Sequence, residues 1–189
     1  MDILSKGLHV TRMLKFGQPL GGMVQEAFIV PDIIAGVEHF IRHLKIGPFF
    51  VIEHFGIHDY HYRGNPGTLD VTLALGFSGS MCYELIQQND KNMSVYTETY
   101  EKRGWGFHHW GIATDCFDDE VKSYQGEGAQ MALYGVTDFG TRACYMDLGN
   151  TLPGMIELIE MSPAVEDFFA VIQAASVDWD GKNPIRSFG

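Results

Sequence analysis

The spacing of apolar residues along the chain changes several times, and each change marks an element. Residues 24–30 read as a short strand ending near Asp32, a residue able to cap a helix. In 33–44, Ile34, Val37, Phe40, Ile41 and Leu44 recur at three-to-four spacing, which predicts an amphipathic helix. Three further apolar runs, 49–55, 69–77 and 81–87, read as strands. The same order then returns. A strand over 107–113 ends near Asp115, and a helix over 117–124 stops at Gly126 and Gly128. Strands follow over 130–134, 141–148 and 155–161. The pattern is β-α-β-β-β, twice.

Between the two runs, 93–102 predicts a linking helix closed by Gly104. After Pro163, 164–175 predicts a terminal helix with Val165, Phe168, Phe169 and Ile172 on its apolar face. The organisation expected is an extension over 1–22, a first module over 23–90 and a linker helix over 91–104. A second module spans 105–162, and a terminal helix with a loop-like tail spans 163–189.

The duplication is visible in the letters themselves. Gln25-Glu-Ala-Phe-Ile-Val-Pro-Asp32 aligns with His108-His-Trp-Gly-Ile-Ala-Thr-Asp115, and Tyr83-Glu-Leu-Ile86 aligns with Ile156-Glu-Leu-Ile159. The ten residues by which the two offsets differ fall in an extra loop around 57–66, rich in His, Tyr, Gly and Asn. Its histidines, with His54, match no closed metal motif and read as a solvated loop.

Glu84 and Glu157 each interrupt an apolar strand. One such carboxylate on a half-exposed strand would simply face water. Recurrence at equivalent positions favours burial instead, and a buried carboxylate demands a proton or a cation. Alternation places Gln25 on one face of its strand with Ala27 and Ile29, and His108 on one face with Trp110 and Ile112, leaving His109 on the other. Sheets paired face to face would bring Gln25, Glu84, His108 and Glu157 together. An amide oxygen, an imidazole and two carboxylates suit one divalent ion, Zn²⁺, Mn²⁺, Co²⁺, Ni²⁺ or Fe²⁺. Trp110 and Phe107 are expected to wall a planar or bulky substrate, and Arg142 to meet a substrate carboxylate or form a surface ion pair.

These residues resemble the vicinal oxygen chelate superfamily, the glyoxalase, bleomycin-resistance and dioxygenase fold. The resemblance covers about 24–161. It implies an α+β chain of two tandem βαβββ modules whose curved mixed sheets pair around a central cleft holding a metal, with one ligand from each first strand and each last strand. Arg103-Gly-Trp-Gly-Phe-His-His-Trp-Gly-Ile112 and Ile46-Gly-Pro-Phe49 look like segments of methylmalonyl-CoA epimerase-like members. Gln25 departs from the His more usual there, and Gly149-Asn-Thr-Leu-Pro-Gly154 departs from the ending usual in glyoxalases. The activity so implied is an isomerase or epimerase that removes a proton beside a metal-bound carbonyl, with Glu157 and Glu84 as the acid–base residues. A glyoxalase-type lyase acting on a thiol adduct and a metal-free small-molecule binding protein are the alternatives. Pairing of the modules within one chain or across a homodimer stays open, with the homodimer expected.

Composition sets the boundaries of this reading. The chain of 189 residues carries a net charge of −11, with 46% hydrophobic residues, so it can bury a core and offers no basic stripe for a nucleic acid. Its apolar runs fall short of a membrane span, and three scattered cysteines argue against a disulfide framework. A cytoplasmic setting is expected on these grounds, with neither membrane nor nucleic acid as partner.

Overall fold

The computed structural model describes residues 12–188. Strand β1 (Met23–Ile29) leads to helix α1 (Ile33–His39), which Asp32 caps by accepting from the Ala35 amide. The helix runs on as a wider turn over Phe40–Leu44. Ile33 and Val37 are its buried residues, while Ile34 and Leu44 of the predicted apolar face are exposed. The stripe is therefore rotated toward Ile33, because α1 packs on the outer face of the sheet over Leu85 and Ala74.

Strands β2 (Phe49–Ile52), β5 (Val71–Ser78) and β6 (Met81–Gln88) complete the first βαβββ run. Helix α2 (Val95–Arg103) then starts at Ser94, whose hydroxyl accepts from Tyr96 and Thr97 while Thr97 reaches back to the Ser94 amide. The second run is β7 (Gly106–Thr114), α3 (Phe117–Gly126), β8 (Gln130–Thr137), β9 (Arg142–Asp147) and β10 (Met155–Glu160). Helix α4 (Pro163–Ser176) and strand β11 (Ile185–Ser187) end the chain. Cys116 occupies the start of α3, so Asp115 does not cap it.

With β3 (Ile57–Tyr62) and β4 (Asn65–Pro66), all strands join one curved sheet in the order β11-β2-β5-β6-β1-β7-β10-β9-β8-β3-β4. The two modules meet edge to edge within one chain, through the antiparallel pair β1–β7, rather than face to face. The supposed extra loop is a hairpin, β3 (Ile57–Tyr62) and β4 (Asn65–Pro66), that leaves the first module and pairs with β8 of the second. His58 and Thr137 lie in that pairing region, and the exposed His58 and His54 bind Asp138 and Asp70. The predicted loop-like tail likewise adds β11 beside β2, because its backbone finds an unpaired edge there.

Two small cores hold α1 and α3 against the outer face. The main core lies on the inner face and joins both modules. Helix α4 crosses that face, and Phe169 stacks on Phe16 at 5.3 Å and meets Phe77 edge-on at 6.2 Å. Val165, Phe168, Phe169 and Ile172 face inward as the spacing predicts. Among the described residues the three cysteines are free, and no helix is long and apolar enough to cross a membrane.

Candidate functional site

The edge-to-edge pair brings four polar side chains to the middle of the inner face. The Gln25 amide nitrogen donates to Glu84 at 2.9 Å and lies 3.4 Å from both Glu157 and His109 Nε2. His109 Nε2 stands 3.1 Å from Glu157 and 3.6 Å from Glu84. All four residues are buried.

The imidazole is His109 rather than His108. A bulge at His108 breaks the alternation, since Ala27 faces His109 while the next residue, Phe28, faces Phe107. His108 is turned instead toward Val95 and Tyr96 of α2. The parallel pairings explain the placement. Glu84 lies opposite Ala27, two residues after Gln25, and Glu157 lies opposite Gly111, two residues after His109. The structural counterpart of Gln25 is thus His109. The helix starts agree, for Asp32 and Cys116 each stand seven residues further on. Matching the two Asp residues in the sequence slips the register by one.

Gly111 belongs to the centre although no charge marks it. A Cβ there would stand 2.9 Å from the Gln25 Cβ and 3.4 Å from a Glu157 oxygen. Only a residue without a side chain lets β1 and β7 close over the cluster. A glycine two residues after a ligand candidate, inside a strand, is the one mark of this in the sequence.

Burial and mutual repulsion raise the Glu84 carboxyl well above its ordinary range. Burial alone pushes Glu157 up to about 8 and His109 down to about 3. The neutral cluster is then held by hydrogen bonds, with Glu157 protonated toward the imidazole. The ring tautomers follow from a fixed acceptor. His108 Nε2 lies 3.3 Å from the Val95 carbonyl, which can only accept. Neutral His108 therefore offers the lone pair of Nδ1 to the Nδ1–H of His109, 2.9 Å away. His109 is left with a bare Nε2 facing Gln25 and the two carboxyls. Tyr145 packs on its ring at 4.5 Å and shares a 2.9 Å hydrogen bond with Tyr96.

The donor chemistry suits a divalent cation: two carboxyls, an amide and an imidazole nitrogen with a free lone pair. The three acid and imidazole side chains contact one another, and among the described residues no group of three His, Cys, Asp or Glu stands in a geometry that could hold a metal ion. Holding a cation takes loss of a carboxyl proton and a turn of the Gln25 amide to present its oxygen.

Gln25, Glu84 and Glu157 open onto a cavity of about 100 Å³ between the sheet and α4. Trp110 and Phe107 do not wall it. Trp110 packs in the outer core near α3, 4.5 Å from Phe107, which meets Phe28. Ordinary alternation is the reason: Trp110 is the neighbour of the inward-facing His109 and shares the outer face with Ile112. Arg142 lines the cavity, yet its guanidinium binds Glu160 and Asp118 and lies over Phe117.

A fold of two paired βαβββ runs around a central polar cluster defines a class. A family model described as Glyoxalase/Bleomycin resistance protein/Dioxygenase superfamily matches residues 24–145, and the chain belongs to that superfamily. The matched span holds Gln25, Glu84 and His109 and stops short of Glu157. No curated protein matches. Among solved structures, methylmalonyl-CoA epimerase from Mycobacterium tuberculosis is similar with a TM-score of 0.54 and 16% identity, over 78% of this chain and 93% of that one. A Streptomyces coelicolor methylmalonyl-CoA epimerase variant in complex with 2-nitronate-propionyl-CoA gives 0.52 and 17%, over 76% and 96%. A hypothetical protein from Bacillus halodurans C-125 gives 0.55 and 18%, over 75% and 94%. At these identities the likeness is one of fold.

Proposed function

We propose that the chain is a metal-dependent isomerase or epimerase that removes a proton next to a carbonyl of a small organic substrate. One observation carries the reading: two buried carboxyls, from equivalent strands of the two modules, meet at one imidazole on the floor of a cavity. Gln25, Glu84, His109 and Glu157 would hold the ion, His109 taking the place expected of His108. A bound divalent cation supplies a seat for the substrate oxygen and offsets the charge that develops as the neighbouring proton leaves.

The side chains do the rest. Without a cation, burial favours the proton-bearing form of Glu157; beside a bound cation it would be a carboxylate, able to accept a substrate proton and return it. Glu84 enters from the other module, so the two carboxyls flank the substrate as an exchange of proton faces requires. His109 is kept in one tautomer by His108 and cannot turn its N–H to the substrate. Helix α4 and the apolar walls exclude water, which strengthens each of these interactions.

Metal content by elemental mass spectrometry, on protein purified without added metal or chelator, is the deciding measurement. One divalent ion per chain, lost in Glu84→Ala and His109→Ala, is expected. The companion result is that Glu157→Gln slows exchange of solvent deuterium into a substrate α-carbon by at least about a hundredfold. Absence of metal, with no uptake of Zn²⁺, Mn²⁺, Co²⁺ or Ni²⁺, would overturn the reading in favour of a binding protein.

A further inference from the structure

The cavity is less polar than its floor. Above Gln25, Glu84 and Glu157, its wall is mostly Leu73, Leu75, Leu133, Ile159, Phe168 and their aliphatic and aromatic neighbours, broken by the neutral hydroxyls of Thr137 and Thr141. Ile57, delivered by the inserted hairpin, folds over Gly135 so closely that a Cβ there would stand 2.4 Å from its methyl group. Phe139, 43% exposed, stands at the mouth and contacts Phe168 of α4 with ring centroids 5.1 Å apart. Phe188 of the tail packs on the other side of Phe168 at 4.8 Å. Three separate segments thus bring an aromatic ring to one place, and an exposed ring at a cavity mouth is an entry surface for apolar matter. Arg142 is the one Lys or Arg on the lining among the described residues, and Glu160 and Asp118 already neutralise it. Nothing on the wall compensates an anion carried away from the floor.

We propose that the molecule held in this cavity is a compact carbonyl compound whose non-reacting part is neutral and apolar, lodged between α4 and strands β5 and β8. The inference rests on the same site as the proposed function but on its walls rather than on its four polar residues. A substrate whose acyl group carries a second carboxylate or phosphate into the cavity is excluded by it.

The test compares two vicinal dicarbonyls that differ only in the part lodged against the wall, neutral acetylbenzoyl and the same compound bearing a carboxylate at the ring 4-position, by calorimetric titration of the full chain freed of metal with chelator. Acetylbenzoyl is expected to bind one site per chain at least about tenfold more tightly than its 4-carboxylate, the equivalent of one uncompensated polar contact. Leu133→Trp, which fills the cavity, is expected to abolish binding. Should that variant not fold, Phe139→Asp, at an exposed position, is expected to weaken it several-fold. The 4-carboxylate or propionyl-CoA binding as tightly as acetylbenzoyl, or no acetylbenzoyl binding, would overturn the inference. Metal uptake, read after Zn²⁺, Mn²⁺, Co²⁺ or Ni²⁺ is returned to a portion of the same protein, separates the two readings. Acetylbenzoyl bound by a chain that takes up no metal removes the epimerase and leaves the apolar site; metal uptake without preference for the neutral ligand does the reverse.

Discussion

Glu157 is a carboxyl whose proton is kept by its surroundings, and this has a consequence for stability. Its value of about 8 lies above the ordinary 4.5 because burial disfavours the charge. A group raised on folding binds more protons folded than unfolded. It contributes stability that is fully present below 4.5 and is lost as pH rises through about 8. In chelator-treated protein, denaturant titrations across that window are expected to show stability falling by a few kcal/mol. Glu157→Gln, which keeps the shape without the charge, is expected to flatten the fall; an unchanged slope would place the titrating group elsewhere. The glutamates and Gln25 were legible in the sequence as polar residues at repeated positions in apolar strands. The choice of His109 over His108 was not, because matching Asp32 to Asp115 slips the register by one, and alternation within a strand does not say which of its faces the partner strands turn inward.

Among the elements, the inserted hairpin is tied down by charge. Arg63 binds Glu98 of α2 and Asp147 of β9, at 2.6 and 2.7 Å, and Tyr62 donates to the same glutamate. The Arg63 guanidinium holds Glu98 down at about 2. Side-chain exposures of 28% and 13% leave the pair partly screened. Arg63→Met is therefore expected to cost about 1–2 kcal/mol in equilibrium unfolding, with faster amide exchange in β3 and β4. The terminal helix is held by packing together with ion pairs from Arg12 to Glu166 and Lys15 to Asp167, and its apolar face could be read from spacing alone. A hairpin whose strands alternate poorly reads as a loop until the edge strand β8 is there to receive it. The tail became a strand for the same reason.

At the scale of the whole molecule, pairing of β1 with β7 decides that one chain builds the entire centre. Metal uptake and turnover per chain are accordingly expected to be independent of protein concentration down to the nanomolar range, read alongside sedimentation. Activity lost on dilution in step with dissociation would mean that a second copy completes the site. Gly111 sets how closely the two modules approach, since any side chain there would enter the cluster.

The sequence by itself determined the β-α-β-β-β repeat, the superfamily and three members of the centre. Periodicity and repetition are local properties, and they survive without knowledge of partners. The tertiary structure decided which histidine faces inward, where Trp110 and the hairpin go, and how apolar the cavity is. Each of those depends on which strand lies beside another, and a shift of one residue in that pairing reverses the face of every side chain that follows.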